Sequence, residues 1–405
     1  AFNMLAELAT TGPPNERPWA YTRWATFDIN DRGDAQAARR HGLLARGYSA
    51  AVDVDADIAL IAAEVWSGHD EAALRYSKDL DPKAHREFEE FTARFFESNS
   101  HVSAAWLASV VGDLRSSALE WQLVSKAPDY NGAVRLARGL AATMYTLDHD
   151  PEAAREALAP LVPTDDTSFL QGDAIFAFMA LPEFWQDAEN HDWTSALADA
   201  RAADAWLEQH KSARKVMGLM QQVWIRPLIA WTLAKAGDFA GAEAAIAQTP
   251  TDCYFCLRVR GQIATEKHDW EQAEHWFGEA VAQAPSIAFA YADWGSERLL
   301  KGDPQGAIGL FEKAHRAGSH FADALEGWGE ALLRKGDQRA ASERFKQADR
   351  DAPRWGRNHA RWAEALLRSG DERRARAQYE TAKTLALDAE DRARLDKLFA
   401  IAAKN

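Results

Sequence analysis

Cysteine is nearly absent from this chain. Its 405 residues contain two, Cys253 and Cys256, in the stretch TDCYFCLRVRG. No apolar run approaches the roughly 18 residues that a membrane-crossing helix needs, so no membrane association is expected. The opening residues, AFNMLAELATTGPPNERPW, lack the basic segment and apolar core of a secretory leader, and a cytoplasmic location is expected. The missing initiator Met leaves open that function is encoded before Ala1. Basic residues are not in excess: the net charge of −14 argues against a general binder of nucleic acid or anionic membranes. GxSxG, HExxH and the GxxxxGK(S/T) phosphate loop are all missing, which argues against an enzyme and against a bound cofactor. Few β-branched runs, and 14 prolines placed mostly in turns, favour an all-α fold.

What the chain does have is a period. Residues 301–314 read KGDPQGAIGLFEKA, and residues 335–348, 34 positions later, read KGDQRAASERFKQA. KHDWEQAEHWFGEA upstream and SGDERRARAQYETA downstream extend the register. Four rows align without a gap: Asp269, Asp303, Asp337, Asp371; Ala273, Ala307, Ala341, Ala375; Phe277, Phe311, Phe345, Tyr379; Ala280, Ala314, Ala348, Ala382. A further row, Gly261, Gly295, Gly329 and Ala363, is preceded in three cases by Trp294, Trp328 and Trp362. The pattern predicts two amphipathic helices per unit, broken at Gly-Asp. Small residues such as Gly295 and Ala307 let the pair approach closely. Gly302 suits a left-handed helix end, and Asp303 can cap the next helix. Pro285 and Pro353 fall just past second helices and stop them. One hairpin cannot bury its own apolar face, so neighbours must stack.

This pattern resembles the tetratricopeptide repeat, continuously from about Thr251 to Leu387. Upstream the period is degenerate, with turn signals at Gly33-Asp34, Gly68 to Asp70, Gly112-Asp113, His149-Asp150, His191-Asp192 and Gly237-Asp238. The three histidines fall in the slot that glycine holds elsewhere. The fold expected is a right-handed α–α superhelix, a tetratricopeptide-like solenoid of about ten hairpins. Its divisions would be degenerate repeats over 1–250, four regular repeats over 251–388, and a C-terminal capping segment over 389–405.

The Cys-x-x-Cys pair with His268 and His275 superficially suggests zinc. Cys256 and His268 would lie about 18 Å apart along one helix, at 1.5 Å per residue, whereas zinc ligands sit within about 2.3 Å of the metal. The cysteines are therefore expected to pack, with redox pairing as the alternative, and no metal site is assigned. Between Arg298 and Lys383 stand 18 Lys/Arg against 13 Asp/Glu, leaving −19 for the remainder. Arg339, Arg344, Arg350, Arg373, Arg374 and Arg376 fall on second helices. They form a solvated face or, alternatively, a patch for an acidic partner or a neighbouring subunit, so a homo-oligomer is left open.

The resemblance implies that first helices line the concave surface and contact ligands through their second, fifth, ninth, twelfth and thirteenth positions. In this chain those positions hold Phe255, Arg258, Gln262, Thr265 and Glu266; Phe289, Ser296 and Leu299; Asp323, Glu326, Glu330 and Arg334; Arg357, Glu364 and Arg368. The subset of the family that grips a C-terminal carboxylate needs Asn at the sixth position, where this chain has Val259, Asp293, Gly327 and Arg361. Extending the count upstream puts Trp106, Trp224 and Trp231 in the same slots as Phe255 and Phe289, an aromatic stripe that either anchors a partner or packs between irregular helices. The expected function is a non-enzymatic scaffold binding a protein or peptide in its groove. The alternatives are a regulatory or sensing module whose output domain precedes Ala1, and a helical-repeat enzyme.

Overall fold

In the computed structural model the described residues are 2–48, 54–65, 67–78, 105, 108–109, 111–126, 133–158, 181–211 and 215–402. Among them there are helices and turns but no strand. A leading helix α1 (Phe2–Thr11) precedes two hairpins, α2 (Arg17–Phe27) with α3 (Ala35–Tyr48) and α4 (Val54–Val65) with α5 (Asp70–Lys78). Next come α6 (Leu114–Val124), the pair α7 (Ala133–Leu147) and α8 (Pro151–Leu158), and the pair α9 (Pro182–Glu189) and α10 (Trp193–His210). The sixth hairpin joins α11 (Val216–Met220) and α12 (Arg226–Lys235) to α13 (Phe239–Ile246). The regular repeats follow: α14 (Tyr254–Glu266) with α15 (Trp270–Gln283), and α16 (Phe289–Leu300) with α17 (Pro304–Ala317). Then come α18 (Ala322–Lys335) with α19 (Gln338–Asp351), α20 (Gly356–Arg368) with α21 (Glu372–Thr384), and a last helix, α22 (Ala389–Ala402). The architecture is an all-α solenoid of tetratricopeptide-like hairpins.

One local design makes all ten described turns. Gly33, Gly68, Gly112, Gly237, Gly302, Gly336 and Gly370 have positive φ, and His149, His191 and His268 take the same left-handed conformation at 57°, 58° and 58°. At nine of the turns the aspartate just after this residue caps the second helix. Its carboxylate accepts from the backbone N–H three residues on, at 2.8–3.2 Å. Pro227 is accommodated differently. The segment Gln221–Ile225 is π-helical and runs directly into α12, so Pro227 lies in a continuous helical path whose widened turn precedes the residue that lacks an N–H.

Within a hairpin the aligned rows meet. A side chain at Gly261, Gly295 or Gly329 would lie 2.5, 2.9 or 2.6 Å from the ring of Phe277, Phe311 or Phe345, so only glycine admits the ring. Those three rings are at most 1% exposed, and Ala273, Ala307, Ala341, Ala280, Ala314 and Ala348 are fully buried. In the fourth regular repeat Tyr379 stacks on Phe399 of α22 at 4.3 Å, while Leu395 of α22 completes the cluster around Ala363 and Ala382.

The solenoid also touches itself. The turns of the first four hairpins press in chain order against the starts of first helices five or six hairpins further on. Gly33 packs on Lys215, Gly68 on Cys253, and Gly112 on Phe321. Tyr254 N–H donates to Gly68 O at 2.8 Å, and Ser286 donates to the Glu71 carboxylate through N–H (3.1 Å) and hydroxyl (2.6 Å). At the fourth turn the His149 ring stacks 3.8 Å from Trp355, and Arg354 pairs with Asp150 (3.1 Å) and Glu152. Two successive coils are thus stitched edge to edge along a seam.

Candidate functional site

The face formed by second, fifth, ninth and thirteenth positions of the first helices is partly consumed by the protein's own packing. Trp231, half-buried, lies 5.4 Å from Trp193 and 6.1 Å from Trp185, within a cluster that includes Phe184. Trp224 lies 5.3 Å from Phe255, and Phe289 meets Phe321 edge-on at 4.9 Å. Between these pairs the Arg258 guanidinium lies 5.9 Å from the Phe255 ring and 5.0 Å from Phe289, and its Nε donates to Asp293 at 2.8 Å. The rings of the expected stripe are therefore half-buried against neighbouring helices, Trp224, Trp231 and Phe255 on one core cluster and Phe289 beyond Arg258. Trp106 lies outside the described residues.

Further along the same helices the face opens. Thr265 and Leu299 are buried, but Gln262 is half-open and Ser296 exposed, and Leu300 is 59% exposed. Sequence reasoning passed over Leu300, which stands at a thirteenth position. Above it Lys235 donates to Glu266 at 2.5 Å. Below it begins a charged ladder that joins the remaining candidates. Arg334 donates to Leu299 O (2.8 Å) and to Glu330 (2.5 Å), while Arg357 donates to Glu326 (3.1 Å) and Glu330 (2.9 Å). Arg368 pairs with Glu364 at 2.5 Å. The last helix α22 enters the same network: Arg394 donates to Glu364 at 2.7 Å, and Asp391 pairs with Arg361 at 3.1 Å. Carrying the 34-residue count past Leu387 would have placed Asp391 and Arg394 at second and fifth positions, a signal available in the sequence.

The ladder is layered, with acids below and cations above. Glu330 and Glu364 side chains are 10% and 3% exposed, whereas Arg334 and Arg368 are 46% and 47% exposed. Burial works against ionising Glu330, yet Arg361, Arg357 and Arg334 hold its pKa below the usual value. Burial prevails at Glu326 and Glu364, whose pKa values are raised despite the adjacent arginines. An open cavity of about 450 Å³ lies between α20 and α22, lined by Glu364, Arg368, Ala393, Arg394, Lys397 and Leu398.

Cys253 and Cys256 are fully buried and bonded to each other at the start of α14, with Cys256 N–H donating to Cys253 Sγ at 3.2 Å. The two are thus paired, the alternative to simple packing, and the disulfide is buried under Gly68. No group of three or more His, Cys, Asp or Glu side chains suited to a metal ion occurs among the described residues. Nor is any helix among them long and apolar enough to cross a membrane.

No protein-family model matches the chain, and no curated protein matches it. Solved structures do. A thermophilic TPR protein from Thermus thermophilus, TTC0263, is 20% identical, with a TM-score of 0.38; the match covers 43% of this chain and 97% of that one. MamA AMB-1 is also 20% identical, with a TM-score of 0.32, over 41% of this chain and 99% of its own.

Proposed function

We propose that this chain is a non-catalytic scaffold that receives a peptide or helix along the open strip from Gln262 through Ser296 and Leu300 to Arg334 and Arg368. The observation that carries the reading is the contrast along a single face. The starts of its first helices are covered by aromatic packing and by the seam, while their ends present polar, apolar and cationic groups in turn. The degenerate repeats over 1–250 then serve as the coil that braces the regular ones over 251–388, and 389–405 closes the array.

A photo-crosslinking amino acid placed at Ser296, and separately at exposed Glu343 on the second helix α19, tests this with peptides selected from a display library. Selected peptides should crosslink at position 296 and not at 343. Crosslinking at 343 alone, or a selection without enrichment, refutes the strip.

A further inference from the structure

The lower end of the strip carries more than a general docking surface. We infer that Arg334, Arg368, Arg394 and Lys397 bind an acidic segment of a partner protein through its Asp and Glu side chains. This rests on the scaffold reading and names the partner's chemistry.

Arg368 and Arg394 each turn one edge to the Glu364 carboxylate beneath them, while Arg334 gives one N–H to Glu330 and another to Leu299 O. The Glu364 side chain is 3% exposed; its Oε2 accepts from Arg394 at 2.7 Å, and its Oε1 lies 2.5 Å from Arg368 as an ion pair. Glu330 is engaged by Arg334 and Arg357, and Asp391 by Arg361. A guanidinium has five N–H donors in a fixed fork, so these contacts leave donors over. Arg334, Arg368 and Arg394 side chains are 46%, 47% and 44% exposed, so the leftover donors face outward. Lys397 adds an exposed ammonium on the wall of the 450 Å³ cavity.

The buried acids therefore act as a template. They hold the arginines in one orientation before any ligand arrives, which lowers the entropy lost on binding. What a partner meets is a row of fixed cations, and the complementary group is a carboxylate able to accept paired N–H bonds. The cations are spread along three first-helix positions in succession, α18, α20 and α22, so they match several side-chain carboxylates and require no chain terminus. Leu300, one repeat before Arg334, offers an apolar contact for a residue preceding the acidic run.

The test uses the full chain and two fluorescein-labelled, C-terminally amidated peptides, one with a leucine followed by glutamates and one with glutamines in their place. The glutamate peptide should bind, weaken as salt rises, and bind equally with a free C-terminus. The glutamine peptide should not bind. Lys397→Glu and Arg394→Gln should each weaken binding, and together by about tenfold or more. Lys397→Glu should leave the melting midpoint unchanged, which separates docking from folding.

Equal binding of both peptides overturns the acidic class while the strip itself stands. Binding of neither, with display peptides still crosslinking at position 296, overturns it in the same way. Indifference of the glutamate peptide to Lys397→Glu and Arg394→Gln places it elsewhere and refutes the site. Light scattering that shows a dimer broken by Lys397→Glu makes a second copy of the chain the occupant and refutes the partner proposed.

Discussion

His149 allows the seam to be weighed against the turn that carries it. Like His191 and His268, it holds a left-handed turn, at φ 57° against 58° for the other two, where seven sister turns use glycine. Changing any of the three to glycine relieves a backbone strain of about 1 kcal/mol. His191 and His268 are exposed, so His191→Gly and His268→Gly should stabilise the chain by about that amount. His149 differs in its partners. Its side chain is 12% exposed, Nδ1 lies 2.8 Å from Glu189 and Nε2 3.4 Å from Asp323, and the ring stacks on Trp355. Removing the ring forfeits about 1 kcal/mol of stacking. It also forfeits about 2 kcal/mol of ion pairing, less than a fully buried pair would give because both acids are partly exposed. His149→Gly should therefore destabilise by about 2 kcal/mol net, opposite in sign to its two controls.

Urea-melt midpoints for the three variants supply the comparison. The pH dependence supplies a second reading. Burial disfavours the charged ring, but the carboxylates of Glu189 and Asp323 outweigh it and raise the His149 pKa from 6.5 to about 10. A raised cation pKa contributes its full stability below the unfolded value and loses it as pH climbs through the folded one. The gap between wild type and His149→Gly should thus be widest near pH 6 and close toward pH 10. If all three variants shift the midpoint in the same direction, or the gap is flat with pH, His149 does not clamp the coils.

Three further outcomes are expected. Ala341 is fully buried against Phe345, so Ala341→Trp should overpack its hairpin and cost about 1–3 kcal/mol or more, while exposed Arg339→Ala should stay within about 0.5 kcal/mol; equal urea midpoints would refute the register. A side chain at Gly68 would come within 2.6 Å of Cys253, whereas one at Gly302 meets nothing within 4 Å, so Gly68→Ala should lower the melting midpoint well beyond Gly302→Ala, and equal shifts would place the seam elsewhere. Thiol titration of denatured, unreduced protein should find no free thiol and, after dithiol treatment, two; two from the outset would remove the Cys253–Cys256 bond.

The hairpins were legible because their determinants are local. Gly329 and Phe345 stand in one repeat at fixed spacing, and the space that the glycine leaves is the space that the ring fills. The turn histidines were legible for the same reason, since their slot dictates a left-handed backbone whichever residue occupies it. Partner choice was not. Periodicity placed Arg357, Glu330 and Glu364 on one face, yet could not show that Arg357 pairs with Glu330 and Arg394 with Glu364 across repeats, because a face has a period and an ion pair does not. Nor could it place Trp231 in a cluster with Trp193 and Phe184, contributed by an irregular hairpin. The seam left no periodic trace: Gly68 reads as one more turn glycine until Cys253 is seen beneath it.

The edge-to-edge stitching has a consequence for how this chain is made. An ordinary solenoid needs only neighbours, so each hairpin can settle as soon as the next one forms, and folding runs along the chain like a zip. Here Glu71 waits for Ser286, 215 residues away, and Glu152 for Arg354, 202 residues away. On a ribosome the early hairpins emerge with one rim bare, and that rim stays bare until most of the remaining chain has been synthesised and has come round to meet it. Loops of that length close slowly. Closing the seam therefore lags behind the growth of each coil, and a lesion in Glu71 or Arg354 should delay that closure while leaving the growth of each coil at its ordinary pace.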